Sequence, residues 1–92
     1  MIGFVECECL IYDAQSLKEK RAVLQRIMMR IKNKFNISVA EMDHQNVWQR
    51  TKIGLVMISS NRSITENELN EALKLIDSFP EIERTATTFE WL

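Results

Sequence analysis

Between residues 2 and 12 polar and apolar side chains alternate, with Val5, Cys7, Cys9 and Ile11 on one side and Phe4, Glu6, Glu8 and Leu10 on the other. A period of two marks a half-buried strand. After the link Asp13-Ala14-Gln15 the period changes. Ser16-Leu17-Lys18-Glu19 has the form of a capping box, in which the serine hydroxyl accepts from the Glu19 amide and the Glu19 carboxylate reaches back. Leu17, Leu24, Ile27, Met28, Ile31 and Phe35 then recur at three- and four-residue spacing, which predicts a helix to about Lys34 with one apolar stripe. Asn36 is expected to end it, because asparagine tolerates the left-handed conformation common at helix C-termini.

Residues 37 to 43 read as a second strand and 50 to 59 as a third. The third has Ile53, Leu55 and Met57 on one face and Val56 and Ile58 on the other, and apolar residues on both faces mark a central strand. Asn61-Arg62-Ser63 is turn-like. Thr65-Glu66-Asn67-Glu68 forms a second capping box, expected to open a helix that turns Leu69, Ala72, Leu73, Ile76 and Phe79 inward until Pro80 stops it. Residues 84 to 91, rich in threonine with Phe89 and Trp91, read as the last strand. The order βαββαβ predicts one α+β domain over residues 1–92. Right-handed crossovers then make a ferredoxin-like sandwich, with both helices on one face of a four-stranded antiparallel sheet and the first and third strands central.

Composition adds bounds. Ninety-two residues, 46% apolar and 27% charged, suit one modest core. A net charge of −1 leaves no bulk attraction to nucleic acid, so any such activity must come from local asymmetry. The opening Met-Ile-Gly-Phe-Val lacks the basic and apolar regions of a signal peptide, and no run approaches the roughly 20 apolar residues of a membrane span. A cytoplasmic location without membrane contact is expected. Cys7 and Cys9 point to one face of the first strand, about 6.6 Å apart by strand rise, and are expected to be buried and reduced.

Charge is segregated along the chain. The first helix carries Lys18, Lys20, Arg21, Arg26, Arg30, Lys32 and Lys34 against Glu19, and the second carries Glu66, Glu68, Glu71 and Asp77 against Lys74. Two explanations stand side by side: helix dipoles and helix-to-helix attraction, or a basic helix that touches phosphates. For the second, Lys18, Arg21 and Lys32 are the candidates, with Arg50 and Lys52 extending the patch. Glu6 and Glu8 on the expected open face of the sheet repel phosphate and argue against RNA recognition there. The apolar half of that face, on the third strand, instead suggests cover by a second subunit.

The connection from Ser38 to Arg50 concentrates polar chemistry: Glu41, Asp43, His44, Gln45, Trp48, Gln49 and Arg50. His44 with Asp43 or Glu41 could work as a general acid–base pair or simply shape a turn. No Ser or Cys nucleophile lies in the segment and no second histidine exists in the chain, so no enzyme, metal site or cofactor is expected. Trp48 is read as a packing anchor for the connection or, if exposed, as a binding hot spot. Gln49 and Arg50 can bind planar groups, or Arg50 can pair with Glu41 across the hairpin.

Ser16-Leu17-Lys18-Glu19-Lys20-Arg21, then Phe35-Asn36-Ile37-Ser38-Val39-Ala40-Glu41, Asp43-His44-Gln45 and Trp48-Gln49-Arg50 with Gly54, resemble the YlxP-like family of small bacterial proteins, a domain of unknown function. The resemblance covers essentially the whole chain. It implies a ferredoxin-like fold in a bacterial cytoplasm. Genes of the family commonly stand beside those for transcription antitermination, translation initiation and ribosome maturation, which implies a link to ribosomal RNA or ribosomal particles. The expected function is therefore a non-enzymatic RNA- or ribosome-associated binding factor that uses the basic first helix and, as its interaction surface, the connection from 41 to 50. A self-assembling homodimer without a nucleic-acid role is the alternative.

Overall fold

The computed structural model describes all residues 1–92. The elements run β1 (Ile2–Leu10), α1 (Leu17–Lys34), β2 (Ser38–Asp43), β3 (Arg50–Ile58), α2 (Arg62–Asp77) and β4 (Glu83–Trp91). The sheet order is β2-β3-β1-β4 with every pair antiparallel, so β1 and β3 are central and the fold is ferredoxin-like. Strand alternation explains the layering. Val5, Cys7 and Cys9 of β1 and Ile53, Leu55 and Met57 of β3 are buried beneath Leu24, Ile27 and Ile31 of α1 and Leu69, Leu73 and Ile76 of α2. At Gly3 the side chains of α2 press directly onto the sheet backbone. A Cβ there would lie 2.8 Å from both Leu69 Cδ1 and Thr65 Cγ2, and 3.0 Å from the Trp91 ring.

Ser16 caps α1 as its sequence requires, accepting from the Glu19 amide at 3.1 Å, while Glu19 accepts from the Gln15 amide. Two helix ends differ from expectation. Helix α1 closes at Phe35 in extended backbone, and Asn36 is not left-handed, because the chain turns straight into β2. Helix α2 begins at Arg62, with Asn61 Oδ1 accepting from Ser63 and Ile64, so Thr65-Glu66-Asn67-Glu68 is not its capping box. Thr65 is fully buried inside the first turn, its hydroxyl 2.6 Å from Ser59 Oγ. An asparagine and a threonine four residues apart are both competent caps, and the apolar contact that Thr65 makes against the sheet selects the earlier one.

Cys7 and Cys9 are buried free thiols with their sulfurs 3.9 Å apart. The Cys9 thiol donates to Cys7 and is cut off from water, which pushes it above the ordinary thiol range.

A bidentate pair ties the end of α2 to β4: Arg84 Nε and Nη2 donate to the two Asp77 oxygens, both at 2.7 Å. The Arg84 guanidinium holds the Asp77 carboxyl below its usual range. A lowered folded value means that the stabilisation is present above the unfolded aspartate value near about 3.9. It is lost as pH falls through the lower folded one. Asp77→Asn is therefore expected to cost about 0.5–1 kcal/mol at neutral pH. In urea titrations the gap to the parent protein should close in acid, and a gap independent of pH would exclude the ion pair as its cause.

Candidate functional site

The connection between β2 and β3 is built around a lysine that comes from elsewhere in the chain. Lys20, one turn into α1, is fully buried. Its Nζ lies 2.9 Å from Glu41 Oε2 and donates to the backbone carbonyls of His44 and Val47, the latter at 2.7 Å. Two carbonyls and a carboxylate thus surround the ammonium, the kind of polar shell a buried cation requires. Thr51 Oγ1, also buried, donates to the same Glu41 oxygen at 2.6 Å. Lys20 Nζ joins helix α1 to the edge strand β2 and the connecting turn, and the Glu41 carboxylate carries the link on to the central strand β3. No side-chain N or O in the interior is left without a partner.

The turn itself follows from Asp43 and His44. Asp43 Oδ1 accepts from the His44 amide at 2.7 Å, and His44 carries φ +63°, the one positive φ in the chain. Donation from that amide holds the Asp43 carboxyl below its ordinary value. The Val47 amide closes the turn on the His44 carbonyl. Gln49 Nε2 donates to the carbonyls of Tyr12 and Ala14, so this amide nitrogen fastens the connection to the β1–α1 link. Trp48 is half exposed, and Lys20 and Gln49 supply the hydrogen bonds that hold the connection. Gln45, Asn46 and Val47 are exposed beside it at the tip.

His44 turns its ring toward the open face of the sheet. Its Nε2 lies 3.2 and 3.3 Å from the two Glu8 oxygens and 3.4 Å from Arg50 Nη2. One ring nitrogen cannot donate to Glu8 and accept from Arg50 at once, so these contacts exclude one another in any single protonation state. Arg50 also lies 3.8 Å from Glu8, and Lys52 3.7 Å from Glu6. Arg50 accordingly pairs with Glu8 on β1, not with Glu41, whose carboxylate faces Lys20 beneath the sheet.

This placement separates the candidate cations. Lys18, Arg21 and Lys32 are exposed on the outer face of α1. Arg50 and Lys52 project from the opposite face of the sheet and do not extend that patch, because their positions on β3 alternate with the buried Thr51 and Ile53. Nor does the acidic helix neutralise the basic one. Asp77 pairs with Arg84 and Glu71 with Lys74, and no ion pair joins α1 to α2. The open face is mixed. Met42, Val56 and Ile58 are exposed, and Phe4 is half-buried, with Phe4 and Met42 closing over Gly54.

Lys20 is the residue that sequence reasoning passed over. Its signal was its phase: counted back from Ile27, Leu24 and Ile31 at helical spacing, position 20 falls on the buried stripe.

Topology and layering define the class, a ferredoxin-like α+β sandwich with two helices on one face. A crystal structure of a C-terminal segment of the alpha subunit of aIF2 from Pyrococcus abyssi shares the fold, with a TM-score of 0.56 and 14% identity over 97% of this chain and 48% of that one. The chain spans about half the length of that structure, and the likeness concerns fold alone. Within the class, the chain belongs to the family described as "Protein of unknown function (DUF503)", whose model matches residues 2–89. It is 63% identical to "Uncharacterized protein YlxP" of Bacillus subtilis (strain 168) over 91 residues, 99% of each chain.

Proposed function

We propose that this protein is a non-enzymatic RNA-binding factor that docks on ribosomal RNA or ribosomal particles through the outer face of α1. The fate of its cations carries the proposal. Of 12 lysines and arginines, Lys20, Arg26, Arg50, Lys52, Lys74 and Arg84 are taken up in ion pairs. Arg30, Lys34 and Arg62 lie over aromatic rings. Lys18, Arg21 and Lys32 have neither kind of partner, and all three are exposed on one face of one helix. A chain of net charge −1 thereby presents three cations without a carboxylate or aromatic partner in a single stripe, and local asymmetry of this kind lets a near-neutral protein engage a polyanion. The gene neighbourhood typical of the family agrees. Co-sedimentation with ribosomal particles at low salt should be clear for the parent protein, sensitive to ribonuclease, and absent after Lys18, Arg21 and Lys32 are changed to Glu. Equal recovery of a folded charge-reversed variant would sink the proposal.

The open sheet face favours a second function, self-association. Ile58 is 62% exposed and Met42 49%, beside Val56 and the half-buried Phe4. The charges bordering them are already paired within the chain, Glu6 with Lys52 and Glu8 with Arg50, so two copies could meet without strong repulsion. Light scattering at high concentration should then give twice the chain mass, and Ile58→Asp should restore the monomer. A monomer throughout excludes this function.

A further inference from the structure

A groove runs between α1 and the segment that follows α2, about 710 Å³ in volume, lined by Ala22, Gln25, Arg26, Met29, Arg30 and Phe79. At 100° per residue, Lys18, Gln25, Met29 and Lys32 fall along one line of the helix, Arg21 lies to one side, and Ala22 and Arg26 lie to the other. The groove and the unpartnered cation stripe are therefore parts of one continuous surface. The groove differs from the stripe in chemistry. Phe79 is buried, and the guanidinium carbons of Arg30 and Arg26 lie over its ring at 5.4 and 6.0 Å from the centroid. Glu81 holds Arg26 from a second direction, whereas Arg30 has no carboxylate partner. Met29 is half exposed beside them, and Gln25, on the same helix line as Lys18 and Lys32, also lines the groove.

Arg30 is exposed although its guanidinium carbon lies over the Phe79 ring, so the guanidinium plane stays accessible to a planar group, and a polarisable thioether beside it suits an aromatic ring. The uncompensated charge next to the groove calls for an occupant carrying phosphates. A planar ring attached to a phosphate chain satisfies both. We infer that this groove takes one unstacked base of an RNA loop or bulge, with the base lying on Arg30 and Met29 while Lys18, Arg21 and Lys32 contact the flanking phosphates. This inference rests on the RNA-binding function proposed above and adds what that function leaves open, namely discrimination of unpaired from paired RNA. Recognition of RNA commonly targets splayed bases that stack on aromatic rings or guanidinium planes.

Three RNAs of equal length separate the possibilities: a stem-loop with an unpaired 2-aminopurine in the loop, the same stem-loop with an abasic site there, and a fully paired duplex. The base-containing loop should bind about tenfold more tightly than the other two. Its fluorescence should quench on binding. Arg30→Lys keeps the charge but removes the plane, so it should erase the loop preference and the quench while leaving the salt dependence unchanged. Equal affinity for all three RNAs would overturn the groove and leave the cation stripe standing. No binding of any of them at low salt would overturn the RNA function itself, and the groove with it. A preference that survives Arg30→Lys would also overturn the assignment.

Discussion

Lys20→Met is expected to destabilise the protein by about 3–5 kcal/mol, the range for removing one partner of a buried ion pair. The cost comes from what the lysine leaves behind. Without Nζ, Glu41 keeps only Thr51 on its buried oxygen, the Val47 carbonyl loses its side-chain partner, and the His44 carbonyl keeps only the Val47 amide. Methionine supplies similar bulk but no donor, so packing loss is small and the unsatisfied acceptors dominate. The loss should concentrate in the connection: amides of residues 44 to 48 should exchange faster with solvent, and the Trp48 emission should shift. Urea denaturation reads the global cost. Lys18→Met, two residues away and exposed, should stay within about 0.5 kcal/mol of the parent. Combining Lys20→Met with Glu41→Gln should cost less than the sum of the single changes, because each single change strands the other group. Additive costs would show that Lys20 and Glu41 do not act as a unit.

The second large effect concerns salt. Each phosphate contact contributes roughly 0.7–0.9 to the slope of log affinity against log salt concentration. Changing Lys18, Arg21 and Lys32 to Gln should therefore lower that slope by roughly 2–3 on a structured RNA. Affinity at low salt should fall about 100-fold or more, given the contribution of counterion release. Arg50→Gln with Lys52→Gln is the decisive comparison. Both residues were candidates on sequence grounds, yet they lie on the other face of the sheet against Glu8 and Glu6. Their removal should leave the slope unchanged. A slope that follows Arg50 and Lys52 instead would move the contact surface to the open face of the sheet and refute docking through α1.

Much of the architecture was legible along the chain. The alternation from Val5 to Ile11 and the doubly apolar run from Ile53 to Ile58 correspond to the two central strands, and Ser16 with Glu19 forms the expected helix start. These features depend on neighbours within a few residues. The start of α2 was misplaced because Asn61 and Thr65 are both good caps locally. The choice between them depends on Thr65 packing beneath Gly3, sixty-two positions away in the chain. The polar connection was recognised, but its internal order was not. The sequence suggested Arg50 as the cationic partner of Glu41, whereas the fold puts Arg50 on the opposite face of the sheet and brings Lys20 of α1 to Glu41.

By itself, then, the sequence determined the element order, the central strands, the burial of Cys7 and Cys9, and the stretch in which polar chemistry collects. Periodicity and capping are short-range, and a chain this small has few ways to cover one sheet with two helices. Only the tertiary structure decided that Lys20 organises that stretch from beneath. It also decided that Arg50 and Lys52 are paired on the far face, and that Lys18, Arg21 and Lys32 are left without partners. Those outcomes turn on which distant residues meet. In a chain of net charge −1, where nearly every cation has a possible carboxylate, the pairings determine where positive charge remains available.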